Sequence, residues 1–504
     1  MIWYLVAVAG TLTLALVLRI APSAMAPHGA GVDHWFWRLY IREYRRTGQF
    51  PPRLPQYILD EHQWYPPLFP LLVALLPERV LDKWSHYVAT QIDLVRMSLM
   101  LAITGYLTDY QPLAALTAGL VYATTPIQIS YNVQLNPRGI AALLLDILLL
   151  LVLLRIQGAG PAIWVPVAMV SALVLLTHKM TTQLMWFIAL VLALVYQRLE
   201  FAALVPVSVV TAMVLSGGFY WKVLRAHWDI VSFWSRHWRW IGAHPVRESP
   251  IYGTGRYERP EKLHKSGLRG VAWHMFIMVG FNPAAWLACL LVVERLLPGS
   301  NFLNYPTPLL LWLVLPCALA ALTSFVPLLK CIGAGYLYVY NTSLFASVVF
   351  AVTITYTKAQ ELSTAIALTA LVANVAGTAI YYRQFVRNPR NRIDSHLGQL
   401  IDELDGRPAG LVMCMPTGFS EIVTFRTGRP VLWGGHGFGF EKLEPTFPRL
   451  LMPIDEVVRR YGVSYLLTLD DMVTAEFEAD LPSSTLLQRG PFRLYCFDRT
   501  GGGL

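Results

Sequence analysis

GVDHWFWRLYIREYRRTGQFPPRLPQYILDEHQWYPPLFP, residues 31–70, is an island of acids, histidines and arginines in an apolar chain. The run before it, residues 2–20, carries one charge, Arg19, and is long enough to cross the roughly 30 Å hydrocarbon core of a bilayer. With no basic leading region, that run reads as a first transmembrane helix rather than a cleaved signal. Arg19 can snorkel from its end to an interface. The apolar piece after the island, residues 66–76, is too short to cross and opens with two prolines, so it reads as a helix lying in the interface. Residues 31–70 are therefore a loop held at one face of a membrane by what flanks it.

Composition agrees. Of 504 residues 55% are hydrophobic and 14% are charged, with a mean hydropathy of +0.47, whereas soluble domains carry about 25% charged residues. The net charge of +9 would point to nucleic acid in a soluble protein. Here it points to membrane-face anchors and phosphate-bearing lipid, with no nucleic-acid partner. The five cysteines, Cys289, Cys317, Cys331, Cys414 and Cys496, show no metal-ligand spacing. Cys414 and Cys496 lie in the polar C-terminal region, where an oxidising compartment would let them pair; the unpaired state is the favoured reading.

Further apolar runs lie at about 91–107, 113–125, 140–154, 162–177, 181–196, 201–217, 270–293, 309–329, 336–356 and 362–382, which with the first makes about eleven helices. An odd number puts the two termini on opposite faces. By alternation Arg155, Arg198, Arg295 and Lys358 share one face, which the positive-inside rule makes cytoplasmic. The other face receives residues 31–70, the 125–138 loop, His178 and Lys179, a long 219–269 loop, Lys330 and the C-terminal region. Arg42, Arg45, Arg46 and Arg53 run against the rule there, which long loops tolerate. From residue 384 the composition becomes soluble. LVMCMP, PVLWGG, SYLLTL and FRLYCF read as strands, and DEVVRRYG as a helix stopped by Gly462. The expected fold is an α-helical polytopic membrane module, residues 1–383, with a small C-terminal α/β domain, residues 384–504. No internal repeat supports an inverted-repeat transporter.

Asp33 follows the first helix, beside His34. A partly desolvated carboxylate there can act as a general base, or simply cap the helix that Trp35–Tyr44 forms. Arg38 and Arg42, at i and i+4, share a face of that helix. Asp60 and Glu61 beside His62 are weak candidates for a divalent metal; a polar turn explains them equally. The 125–138 loop has no carboxylate and ends on Arg138, which either snorkels or binds phosphate. His178–Lys179 is a simple polar turn or a phosphate grip. Lys330 puts another cation at an outer helix end, close to Tyr336. The long loop, HWDIVSFWSRHWRWIGAHPVRE, offers aromatic faces for stacking and cations for phosphate, or is an amphipathic surface helix. There is no P-loop, GxSxG, HExxH or dinucleotide fingerprint.

The order of these features resembles the GT-C superfamily of polyprenyl-phosphate-sugar-dependent glycosyltransferases, which includes protein O-mannosyltransferases and the aminoarabinose transferase of lipid A. Asp33 is similar to the family's early acid. Pro66-Pro67-Leu68 looks like its Lys/His-Pro-Pro-Leu element, with Tyr65 in place of the basic residue. Gly335-Tyr336-Leu337-Tyr338 is similar to a late Arg-Tyr element, without the arginine. His34 stands where a second acid is common, and the second outer loop lacks the acids of the metal-dependent branch. The resemblance implies a metal-free transferase, with a divalent metal the less favoured reading. It takes a polyprenyl-phosphate-linked sugar and passes it to a lipid, polysaccharide or protein acceptor outside a prokaryotic inner membrane. Asp33 would be the base of an inverting reaction; Arg138, His178, Lys179 and Lys330 would bind the donor phosphate. His34, Arg38, His62, Tyr65 and Tyr336 would contact substrate. The alternative is a transporter or flippase using Asp146, the main acid inside a span; a non-enzymatic membrane partner is a third reading.

Overall fold

The structure, a computed structural model, describes residues 1–25, 31–57, 62–241, 245–253, 267–296, 307–356, 360–387, 396–434, 439–482 and 485–497. The membrane part runs through α1 (Ile2–Met25), α2 (Gly31–Thr47), α3 (Leu68–Ala74), α4 (Glu78–Trp84), α5 (Val88–Leu107), α6 (Pro112–Ala123), α7 (Pro126–Tyr131), α8 (Arg138–Ile156), α9 (Trp164–Leu175), α10 (Lys179–Tyr196), α11 (Leu199–Leu215), α12 (Phe219–Arg236), α13 (Gly267–Phe281), α14 (Pro283–Leu296), α15 (Thr307–Phe325), α16 (Ser343–Tyr356) and α17 (Gln360–Arg387). Among the described residues, seven helices are long and apolar enough to cross a membrane, or eight if α13 and α14, bent by 91° at Asn282, form one broken span. The apolar helices 112–123, 161–175 and 199–215 are shorter. Each apolar run read from the sequence is thus helical, although the 270–293 run is split into two helices and the 336–356 run opens in 3-10 helix.

Burial orders these helices. The span Gly335–Tyr356 is 89% buried, against 22% for Ile2–Met25, so α16 is the centre and α1 faces lipid. Two ion pairs sit inside the bundle. Arg19 does not snorkel: it is fully buried and pairs with Asp93, while Tyr122 Oη donates to the same carboxylate at 2.8 Å. Arg96 pairs with Asp146 through Nε–Oδ2 at 2.5 Å and Nη2–Oδ1 at 3.3 Å. A charge in hydrocarbon is tolerated when it is paired and hydrogen-bonded.

Before α16 the chain makes eight residues of 3-10 helix, Gly335–Thr342, longer than that geometry usually runs. Its peptide groups need partners in an apolar bundle, and side chains supply them. Arg96 Nη1 and Gln128 Nε2 donate to Tyr340 O at 3.1 and 2.8 Å, and Asn282 Nδ2 donates to Val339 O at 3.0 Å. A Cβ on Gly335 would come within 2.5 Å of Ala320 O, so only glycine lets this segment pass against α15.

The basic stripe of α2 is structural. Arg38 donates to Leu81 O at 2.6 Å and pairs with Asp82. Arg45 pairs with Glu78, Arg46 with Glu43 at 2.8 Å, and Arg42 donates to Phe425 O at 2.8 Å. Arg38 and Arg45 fasten α2 to α4, Arg42 fastens it to the C-terminal domain, and the Arg46 pair lies within α2, so most of the arginines that run against the positive-inside rule are held by partners. At the opposite end of the bundle Arg155 and Arg198 share Glu200, as alternation of the helices requires.

The C-terminal domain contains α18 (Gly398–Asp405), β1 (Leu411–Met415), α19 (Ser420–Thr427), α20 (Ile454–Tyr461), β2 (Val463–Leu469), α21 (Ala475–Ala479), β3 (Thr485–Arg489) and β4 (Phe492–Cys496). The sheet order is β1-β2-β4-β3, parallel between β1 and β2 and antiparallel elsewhere. Gly462 stops α20 with φ 67°. PVLWGG is not a strand: it reduces to bridges from Val431 to Val412 and to Tyr57. Its backbone is shared between β1 and the segment between α2 and α3, with Val431 N donating to Gln56 O at 2.6 Å and Leu432 N to Val412 O at 2.9 Å. The fourth strand is instead β3, five residues before Gly490, which the sequence reading passed over. The five cysteines are free.

Candidate active site

One end of the bundle holds a cavity of about 240 Å³ lined by Asp33, Trp37, Tyr65, Pro66, Pro137, Arg138, Thr177, His178, Lys179, Ile230, Trp234, Trp433, Phe440 and Phe447. Three distant stretches supply its charged floor. Gly31 opens α2 with φ 53°, and a Cβ there would overlap Gln134 Oε1. His34 Nδ1 accepts from Leu135 N at 3.4 Å. The start of α2 is thereby docked on the loop that leads into α8, which sets Asp33 Oδ2 3.9 Å from Arg138 Nη2. That separation is an ion pair without a direct hydrogen bond. Asn136 Oδ1 accepts from Arg138 N at 2.9 Å and fixes the first turn of α8. The Arg138 guanidinium lies 4.8 Å from the centroid of Tyr131, and its buried Nε has no hydrogen-bond partner among the described residues.

His178 precedes α10 in extended conformation, and Lys179 is the first residue of that helix. The His178 ring Nδ1 lies 3.0 Å from Thr181 Oγ1. With the hydroxyl donating, Nε2 carries the proton and is left as a donor for a ligand. Burial, helped by the nearby Arg138 and Lys179 cations, holds the His178 pKa well below its ordinary value, so the ring is neutral at physiological pH. His227, on α12 one turn before Ile230, is pushed down to about 3 by burial, with Lys179 adding to the effect.

These two depressed histidines carry a sign. Between pH 6.5 and about 3 the unfolded chain binds a proton at position 227 that the folded chain refuses, so this group's stabilisation is complete above pH 6.5 and is lost as pH falls towards 3. The thermal midpoint of the parental protein in micelles should therefore decline with acidification more steeply than that of His227→Gln. Identical slopes would show that the ring is not held neutral.

The other residues singled out from the sequence lie elsewhere. Lys330 and Tyr336 line a second, smaller cavity of about 30 Å³ with Trp238, His274, Thr323 and Ser324, so Lys330 does not join Arg138 and Lys179 at one anion. Tyr336 stacks on Phe281 at 4.9 Å and 13° and accepts from Tyr131 Oη at 3.3 Å. Arg38 and His34 are buried in the packing of α2. His62 bonds Arg53 and Pro51 O at 3.2 and 3.1 Å. None of these five lines the larger cavity, whereas Tyr65 does. Asp60 and Glu61 lie outside the described residues; among the described residues no three metal-ligating side chains gather. Asp146, on which a transport reading leaned, is bound to Arg96.

Sequence reasoning missed the aromatic part of the lining that α12 and the C-terminal domain supply. Ile230 and Trp234, four residues apart on one face of α12, were legible as a helical stripe within the long loop. Trp433, Phe440 and Phe447 carry no local signal, because the docking of the C-terminal domain brings them to the cavity.

No family model matches the sequence, and no curated protein aligns with it. Solved structures do resemble it. The Archaeoglobus fulgidus oligosaccharyltransferase in the apo form matches with a TM-score of 0.54 at 13% identity, over 93% of this chain and 70% of that one. Apo ArnT from Cupriavidus metallidurans matches at 0.53 and 12% identity, over 98% and 97%. The same ArnT bound to undecaprenyl phosphate matches at 0.50 and 14% identity, over 99% of each chain. At such identities the likeness defines the fold: this is a polytopic helical membrane protein of GT-C-like architecture with a small C-terminal sheet domain.

Proposed function

We propose that this protein is a membrane glycosyltransferase that moves a sugar from a polyprenyl-phosphate-linked donor to an acceptor hydroxyl on the outer face of a prokaryotic cytoplasmic membrane. The observation that carries the reading is the meeting of Asp33, Arg138, His178 and Lys179 in one cavity, inside a fold shared with a protein solved with undecaprenyl phosphate bound. Arg138 and Lys179 hold the donor phosphate, and His178 donates to it from a neutral ring. Asp33 takes the proton of the acceptor hydroxyl as its oxygen attacks the anomeric carbon. The bond from that carbon to the phosphate oxygen breaks, the configuration inverts, and polyprenyl phosphate leaves with the charge that the cations stabilise.

The reaction as proposed needs no metal. One carboxylate beside two cations is a set that gathers anions and repels a divalent ion. The acceptor remains a lipid, polysaccharide or protein hydroxyl.

The test is transfer of labelled sugar from an undecaprenyl-phosphate donor by purified protein, with undecaprenyl phosphate binding measured alongside. Lys179→Ala and Arg138→Ala should each weaken binding about 10–100-fold, the range for losing a charge-assisted hydrogen bond. Parental binding in both variants would remove the phosphate site from this cavity.

A further inference from the structure

We infer that the aromatic wall contributed by the C-terminal domain is the platform on which the donor's pyranose ring rests, with Trp433 as its centre. The inference rests on the reading of the cavity as a site for a polyprenyl-phosphate-linked sugar, and assigns the sugar's place within it.

The cavity lining has two chemically distinct parts. Its charged residues come from α2, α8 and the start of α10, and α12 and the C-terminal domain add a mutually packed apolar group, Ile230, Trp234, Trp433, Phe440 and Phe447, beside Trp37 and Tyr65. A sugar joined to phosphate through one oxygen cannot leave the neighbourhood of the cations that hold that phosphate. In a cavity of about 240 Å³, below the roughly 300–1,000 Å³ of sites for drug-sized ligands, that keeps it within reach of the aromatic lining. The C–H bonds on the apolar face of a pyranose carry partial positive charge, and the face of an aromatic ring is negative. A charged or branched apolar wall would offer no such match.

The wall is braced. Trp433 and Phe447 lie 4.1 Å apart at 39°, and Trp433 meets Phe440 edge-on at 5.6 Å. Phe447 in turn contacts Trp234 at 5.7 Å and Phe233 at 6.1 Å on α12. The segment carrying these rings is tied to α12 by Gly439 N donating to Asp229 Oδ2 at 3.1 Å, by Arg236 with Glu441, and by His237 with Glu444 at 3.1 Å. Rings held in place before binding lose little entropy on contact. The Trp433 indole N–H has no hydrogen-bond partner among the described residues, which leaves it to donate to a sugar hydroxyl.

The experiment compares two ligand types on the full-length protein in micelles: bare undecaprenyl phosphate, and undecaprenyl phosphate carrying glucose, mannose or arabinose. The parental protein should bind at least one sugar-bearing lipid more tightly than the bare one. Trp433→Leu and Phe447→Leu, which keep apolar volume, should each cut that preference about tenfold while bare-lipid affinity stays at the parental value. Trp433→Phe, which keeps a ring and removes the N–H, should fall between. No preference in the parent, or parallel losses for both ligand types in the leucine variants, would overturn the platform. Failure of the parent to bind even bare undecaprenyl phosphate would instead overturn the functional reading beneath it.

Discussion

Asp33→Asn should lower kcat by about 10²–10⁴-fold, the span that general-base catalysis contributes, while undecaprenyl phosphate binds at least as tightly as to the parent. Both halves follow from the geometry. Asparagine matches aspartate in shape, so the start of α2 stays docked through Gly31 and His34. The amide cannot accept the acceptor's proton, and attack on the anomeric carbon loses its base. The substitution also removes the negative charge 3.9 Å from Arg138, freeing the guanidinium for phosphate. Single-turnover transfer at saturating donor reads the first effect and equilibrium binding of bare undecaprenyl phosphate the second. Parental turnover in Asp33→Asn would end the assignment of the base. A loss of lipid binding equal to the loss of rate would make Asp33 part of the binding surface instead.

The membrane fold was legible because a bilayer selects for what hydropathy measures. Every apolar run became helical, down to the short 112–123 and 199–215 pieces, with the 270–293 run broken at Asn282. Parity and charge alone placed Asp33, Arg138, His178 and Lys179 at the same end, since each stands where a helix begins at that end of the bundle. Long-range pairing was not legible. Arg19 reads locally as an interfacial residue; its partner Asp93 is 74 positions away, and only packing of α1 against α5 makes the pair. Lys330 reads like Lys179, a cation at a helix end, yet a run of 3-10 helix, Pro327–Ile332, carries it into a different cavity. PVLWGG has the composition of a strand, but its backbone donors and acceptors are divided between Val412 and Gln56. Trp433, in that same stretch, reaches the cavity only once the C-terminal domain is docked, so it carries no local signal.

Asp146→Ala should destabilise the protein by about 3–5 kcal/mol, the cost of stranding one member of a buried ion pair. Arg96 would remain in the bundle with only the carbonyls of Tyr340 and Asn341, at 3.1 and 3.2 Å, to replace a bidentate carboxylate. Carbonyl dipoles do not neutralise a guanidinium, and burial leaves it no water. The damage should extend beyond stability. Arg96 and Gln128 together hold the Tyr340 carbonyl, and Tyr340 Oη donates to Asn132 Oδ1 at 2.9 Å. Asn132 lies in the loop that delivers Arg138 to the cavity, so loosening this network should also weaken undecaprenyl phosphate binding. The double variant Arg96→Met/Asp146→Leu removes both charges and should recover most of the lost stability, because apolar residues of similar volume can replace a buried pair with little net cost. It should not recover the lipid affinity, since Tyr340 O would still lack its arginine donor. Unfolding of the three proteins in matched micelles, followed with undecaprenyl phosphate binding, separates these effects. A single variant as stable as the parent would mean that Arg96 is not dependent on its carboxylate, and that the bundle admits enough water to solvate a lone charge.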